Sequence, residues 1–329
     1  MSNDYGKISF DLFGESDIKK HFSTRKGETK VGEKIGLWKR SNWKSMKYVI
    51  IGVEESVGPR ANRGRPGAEH AFQAFLSKFL NMQSNSYFDA SKVGLLGRIT
   101  VDTEEETLSD SVEMLDEFVY KTVKSHLLKG QIPILIGGGH NNALPMIKHL
   151  SVENDNRVNV VNLDAHGDYR LLEGRHSGNS FSYSYDLGWL NHYTVFGLHY
   201  QYNSQQVFDD LKRDSHSFTL YEDYVLGQRN FIEDFKKYIS DSNVNIPLGI
   251  ELDLDTIERM PSSAFTPVGI TMNEALKYLR IMAKHKKVGY LHLPEGAPSN
   301  EDESIVVGKT LAYLATGFIR AHLNAGKLY

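Results

Sequence analysis

Short runs of apolar and β-branched residues alternate along this chain with longer stretches whose apolar residues fall three and four apart. That alternation leaves few folds open. KYVIIGV (47–53), PILIGGG (133–139), RVNVVNLDAH (157–166), YTVFGLH (193–199), SFTLY (217–221), IPLGIELDLD (246–255) and VGYLHL (288–293) read as strands. Most are apolar throughout, the pattern of strands covered on both faces of a parallel sheet. Between them, Leu108, Val112, Leu115, Val119 and Val123 form a helical stripe with Thr107 or Ser109 as its N-cap. Further helices are predicted over about 68–82, 229–241, 271–285 and 304–324. A βαβα order of this kind predicts a three-layer α/β/α fold around a mostly parallel central sheet. No repeat or Pro/Ser-rich linker divides residues 47–329, which read as one catalytic domain. Residues 1–46, polar with isolated aromatics (Phe10, Phe13, Trp38, Trp43), read as an N-terminal extension packed on that body.

Composition narrows the chemistry. None of the 329 residues is cysteine, which excludes disulfides, thiolate zinc sites, iron–sulfur clusters and a cysteine nucleophile. Any metal must be held by oxygen and imidazole nitrogen. The charge balance, 38 basic against 41 acidic residues, offers no electrostatic footprint for nucleic acid or an anionic membrane. The most apolar stretch, Ile305 to Ile319, is interrupted by Lys309 and is too short to span a bilayer. The start is polar and unlike a signal peptide, so a cytoplasmic location is expected.

In open parallel sheets, ligands bind beyond the carboxyl ends of the strands. Four predicted strands end in concentrated polar residues: Gly137-Gly138-Gly139-His140, Asp164-Ala165-His166-Gly167-Asp168, Glu251-Leu252-Asp253-Leu254-Asp255 and Pro294-Glu295-Gly296. On an extended segment, D-x-H-x-D would put three ligands on one face, and Asp253 and Asp255 would do the same from another strand. His140 completes a set of two imidazoles and four carboxylates. That set exceeds what one ion needs and suits two divalent cations that share carboxylates and acidify a water between them. Its oxygen-rich donors favour Mn²⁺ over tetrahedral Zn²⁺. Taken singly, His140 reads as a turn histidine and Asp253-x-Asp255 as a helix cap. The glycine run lacks the pattern of a phosphate loop.

On these residues the chain resembles the ureohydrolase superfamily of arginase, agmatinase and formimidoylglutamase. The resemblance runs from about 47 to 320. It covers the glycine-rich segment Gly58 to Ala68, Gly137-Gly138-Gly139-His140 in place of G-G-D-H, Asp164 to Asp168, Asp253-x-Asp255 and Glu295. It implies two Mn²⁺ per subunit. His140, Asp164, Asp168 and Asp253 would hold one, and Asp164, His166, Asp253 and Asp255 the other, with Asp164 and Asp253 bridging. It also implies hydrolysis by a metal-bridging hydroxide, proton relay by Asp168 or a neighbour, and Glu295 as partner of the substrate's cationic end. The departures are Gly139 for an aspartate, Glu258-Arg259 for the D-P that follows D-x-D, Pro261 to Ala264, and Phe181 where arginases carry a proton-shuttling histidine. His176 lies near and is the candidate shuttle, with a loop histidine the equal alternative.

Ser177-Gly178-Asn179 matches the arginase segment that binds the substrate's α-carboxylate. Ser177 and Asn179 are therefore expected to bind a carboxylate-bearing substrate, joined by Arg170 and Arg175 on the same loop, with Arg60 and Arg65 on the first glycine-rich loop. Cations suit a dicarboxylate better than arginine, whose amino group wants an acid. The expectation is hydrolysis of N-formimidoyl-L-glutamate to L-glutamate and formamide in histidine breakdown, by a homo-oligomer. An arginase or other guanidino-acid hydrolase stands as the alternative, ahead of a dinuclear phosphoesterase and a non-enzymatic scaffold.

Overall fold

The computed structural model describes residues 8–38, 43–102 and 107–325; parts of the N-terminal extension, 1–7 and 39–42, lie outside the described residues. Ten strands form one sheet: β1 (Ile8–Leu12), β2 (Gly36–Leu37), β3 (Tyr48–Glu54), β4 (Val93–Val101), β5 (Ile132–Ile136), β6 (Val158–Leu163), β7 (Leu190–Leu198), β8 (Ser217–Leu220), β9 (Leu248–Leu252) and β10 (Val288–Leu293). Their order is β1-β4-β3-β5-β10-β9-β6-β7-β8, with β2 also paired to β4. Every pairing is parallel except β1 with β4.

Alternate residues of one strand feed two separate cores, which is what makes the layers three. Tyr48 and Ile50 of β3 pack with Phe72, Phe75, Tyr278 and Phe318, from the helices Ala71–Phe79, Met272–Met282 and Glu301–Leu323. Val49, Ile51 and Val53 pack on the opposite face with Val112, Leu115, Met146 and Phe181, from the helices Leu108–His126, Ala143–Asn154 and Ser180–Asp186. Burying each of these large side chains contributes about 1.5–3 kcal/mol. The Leu108–His126 stripe is capped by Thr107, whose hydroxyl accepts the Asp110 N–H, one orphan donor of the first turn satisfied.

Several elements differ from the sequence expectation. β4 was unforeseen because Gly94, Gly97 and Arg98 interrupt its apolar run. Gly97 sits at φ 158° beside a register shift against β3, and a Cβ there would meet the Asp11 carbonyl at 2.0 Å. The extension enters the sheet through β1 and β2, and Ile18, Val31 and Ile35 join the core under β3 and β4. The helix Ala143–Asn154 carries Pro145 in its first turn, where no intrahelical donor is lost. It is buried on most sides, so its pattern lacks a polar face.

Candidate metal centre

β5, β10, β9 and β6 are neighbours at the middle of the sheet, and their carboxyl ends bring the polar segments together. None of these segments continues as a strand, contrary to the expected period-two arrangement. β5 stops at Ile136, and Gly137 and Gly138 turn at φ 84° and 67° into the 3-10 turn His140–Asn142. β6 stops at Leu163, and Asp168 turns back at φ 43°. β9 stops at Leu252, and Asp253 caps the 3-10 turn Leu254–Thr256, its Oδ1 accepting the Asp255 N–H at 2.7 Å. β10 leads through Pro294 to Glu295 at φ 66°. Left-handed backbone at Asp168 and Glu295 costs about 1–3 kcal/mol each and is typical of residues whose side chains are aimed for a task.

Fully buried His140 presents Nδ1 to three carboxylates: Asp168 Oδ2 at 2.9 Å, Asp253 Oδ2 at 3.0 Å and Asp164 Oδ2 at 3.3 Å. Despite these distances, Nδ1 has no partner in hydrogen-bond geometry. The four groups converge on a common point, not on one another. Their donor atoms lie within 4.8 Å of each other, and a second group, Asp164, His166 and Asp255, meets the same limit. His166 Nδ1 stands 3.2 Å from Asp255 Oδ2 and 3.7 Å from Asp164 Oδ1. Asp164 thus faces both groups with one oxygen each. Asp253 falls in the first group, its Oδ1 accepting the Asp255 N–H as Asp164 Oδ1 accepts that of His166, each at 2.7 Å. The unpartnered His140 nitrogen, the bare Asp255 Oδ1 and the oxygen-rich donor set fit a pair of hard divalent cations.

The electrostatics agree. Burial, with Asp255 and Asp164 close by, pushes the Asp253 carboxyl well above its ordinary range. Burial and Asp164 raise Asp168 to about 6. Against burial, His140 and His166 hold Asp164 at about 2. Against the same effect, the surrounding carboxylates raise both imidazoles well above 6.5. So many carboxylates out of water call for positive charge.

A cleft of about 270 Å³ opens onto His166, Gly167 and Asp168 and is lined further by Asn62, Arg170, Glu173, Tyr202, Asn203 and Gln206. Of the residues expected to bind substrate, Arg170 lines it, paired to Glu173 at 2.9 Å. Arg175 does not. Its Nε donates to Asp116 at 2.8 Å, and its terminal nitrogens donate to His176 O, Asn179 Oδ1 and Asn141 O. Asn179 is equally saturated: its amide donates to Gly174 O and Leu171 O while Oδ1 takes Arg175 and the His176 N–H. Both are buried and hold the loop together. Ser177, also buried, is reached by Asn62 Nδ2 at 3.4 Å, and neither Arg60 nor Arg65 lines the cleft.

The candidate shuttle His176 is buried, its Nδ1 accepting the Gly178 N–H and its Nε2 3.4 Å from Glu173. Burial, then Arg170, lowers it to about 4, so it is neutral at pH 7. Phe181, at the position of the arginase shuttling histidine, lies edge-on to His140 with ring centroids 5.3 Å apart and walls that ring. Glu295 accepts the His140 N–H at 2.7 Å and the Ser263 hydroxyl, and burial raises it to about 8. The Gly139 departure is steric: a Cβ there would stand 2.3 Å from Pro59 Cδ. The support comes instead from Glu55, which accepts the Gly139 N–H at 2.7 Å and the Asn142 amide at 2.8 Å.

The sequence pattern assigned Glu251 no role and missed His292 and Tyr290, which lie with it behind His140, and Asn203, which braces the His166 turn by accepting the Gly167 N–H at 2.7 Å. The signals were available. Glu251 and His292 are ionisable side chains inside runs otherwise apolar, and Asn203 follows the end of β7 as the metal-facing residues follow the ends of β5, β6 and β9.

A sequence model described as Arginase family matches residues 46–320. The formimidoylglutamase of Macrococcus caseolyticus is 27% identical over 260 residues, covering 76% of this chain and 77% of its own. That of Klebsiella pneumoniae is 26% identical over 266 residues, covering 76% and 78%. Among solved structures, Trypanosoma cruzi formiminoglutamase with Mn²⁺ is similar at a TM-score of 0.71 and 21% identity, over 88% of this chain and 98% of that one. Bacillus subtilis formimidoylglutamase is similar at 0.75 and 17%, over 90% and 94%. These likenesses show the fold.

Proposed function

The chain belongs to the arginase family, and on that premise we propose that it is a dinuclear manganese hydrolase converting N-formimidoyl-L-glutamate and water to L-glutamate and formamide. One observation carries the proposal: two adjoining histidine–carboxylate groups share Asp164 at the floor of a cleft whose rim bears Arg170. The relatives named formimidoylglutamase support the substrate class. His140, Asp164, Asp168 and Asp253 would hold one ion, and Asp164, His166 and Asp255 the other. Bound there, the pair supplies a water acidified toward neutrality and polarisation of the amidine.

The protein's own groups do the rest. Asp168, at the cleft floor beside both groups, is placed to take a proton and return it to the leaving nitrogen. Glu295 keeps lone pairs free beyond its two bonds. A cationic amidinium is the partner that draws such a buried carboxyl back to its ionised form. Arg170 can exchange Glu173 for a substrate carboxylate, since exposed pairs are worth only about 0–1 kcal/mol. Arg175 and Asn179 shape the loop that carries Arg170. The same reading takes the enzyme as a cytoplasmic homo-oligomer of histidine breakdown with residues 47–329 as its catalytic unit. No described helix is long and apolar enough to cross a membrane.

Glu173 favours one rival, a guanidino-acid hydrolase, because an acid in the cleft suits the amino group of arginine. A substrate panel decides between them. Mn²⁺-loaded protein should release formamide from N-formimidoyl-L-glutamate faster than urea from arginine. Asp168→Ala should abolish turnover, and full activity in that variant would defeat the mechanism.

A further inference from the structure

Behind His140, on the side away from the three aspartates, stands a buried group outside the two ligand sets, where Glu251 and His292 cluster with His140. Glu251 of β9 is fully buried, and two side chains donate to its carboxylate. Tyr290 Oη donates to Oε1 at 2.7 Å and His292 Nδ1 donates to Oε2 at 2.7 Å, while His140 Nε2, without a partner in hydrogen-bond geometry, lies 3.4 Å from Oε2. Tyr290 and His292 come from the adjacent strand β10, two residues apart and therefore on one face.

We propose that Glu251, clamped by Tyr290 and His292, is a positioning residue that orients His140 and fixes its tautomer so that Nδ1 is offered to a cation. The reasoning is one of protons. A neutral imidazole that gives Nδ1 to a metal must carry its hydrogen on Nε2, and that hydrogen needs an acceptor. Among the described residues, the anion at Nε2 is Glu251. A carboxylate buried this deep costs several kcal/mol to desolvate, so a sheet interior does not carry one without a use. Acceptors placed behind metal-binding histidines fix the ring and raise its basicity. Among the described residues, His166 pairs with carboxylates through Nδ1 alone, so the effect falls on one ion of the two.

The inference rests on the metal-hydrolase reading and is tested by affinity, not turnover. Mn²⁺ is titrated into the full chain, following free Mn²⁺ by electron paramagnetic resonance. The class of site belonging to His140 is identified by its loss in His140→Ala. Glu251→Gln should weaken that class by about 10–100-fold, leave the other within about threefold, and leave the melting temperature of the metal-free protein unreduced. Tyr290→Phe removes one oxygen and should weaken the same class by a smaller factor, about threefold, so it decides the matter if Glu251→Gln fails to fold. Unchanged affinity in a folded variant, or an equal fall at both classes, overturns the proposal. Absence of any Mn²⁺ binding by the parent protein overturns instead the reading on which it rests.

Discussion

The two histidines at the centre of this molecule sit in opposite surroundings. His140 is fully buried, walled by Phe181 and backed by Glu251, with three aspartates in front. His166 is 27% exposed at the cleft floor and lies under Tyr202, ring centroids 5.6 Å apart. Tyr202 in turn stacks on His199, and His199 on Tyr221. One half of the centre is built like a core and the other like a binding surface. The difference teaches that sharing Asp164 need not make the two sites equal: the inner should retain its ion, and the outer should exchange it.

The strongest way to break that contrast is to remove each histidine. His140→Ala and His166→Ala should both lower kcat/KM by about 10³-fold or more, the scale of several kcal/mol of lost transition-state stabilisation. Excess Mn²⁺ should recover activity in His166→Ala and not in His140→Ala, and equal rescue would erase the distinction. The two loop arginines sharpen it next. Arg175→Met leaves Asp116 buried and unpaired, and should cost about 3–5 kcal/mol in urea unfolding. Arg170→Ala should change stability by under about 1 kcal/mol while raising KM for a carboxylate substrate. A stability loss at Arg170 matching that at Arg175 would contradict the roles given to them.

Tyr202→Ala should weaken the outer ion by about 2–10-fold, as befits a ring contact of about 0.5–1.5 kcal/mol, and spare the inner one, read by Mn²⁺ retention on dialysis. The smallest effect lies in pH. Burial holds His216 and His322 at about 4 in the folded protein, below the ordinary 6.5, with His322 Nδ1 hydrogen-bonded to the Tyr48 hydroxyl at 2.8 Å. The unfolded chain therefore binds more protons between these values. The stability present above pH 6.5 should decline as pH falls toward 4, and His322→Gln should flatten that decline in urea midpoints.

Much of this was legible in the sequence because the central strands are buried on both faces, and their apolar runs end abruptly at the ligands. The alternation located β3, β5, β6, β7, β8, β9 and β10 and the ends at which His140, Asp164, His166, Asp253 and Glu295 gather. Geometry at those ends was not legible. Period-two logic put Asp164, His166 and Asp168 on an extended strand, whereas a left-handed turn at Asp168 and a 3-10 turn after Asp253 bring the groups together. Residue type also misled at Arg175 and Asn179, whose polar atoms are satisfied within the fold. A guanidinium free for a ligand and one tied to Asp116 look alike in one dimension. β4 escaped because Gly97 meets a backbone, a long-range fact that no local pattern carries.

The central claim is a two-ion centre with Asp164 facing both ions. Anomalous diffraction at the manganese edge, from crystals grown with Mn²⁺, tests it directly. The account predicts two peaks, one among His140, Asp164, Asp168 and Asp253 and the other among Asp164, His166 and Asp255. A single peak at either group, or no peak at all, would contradict it.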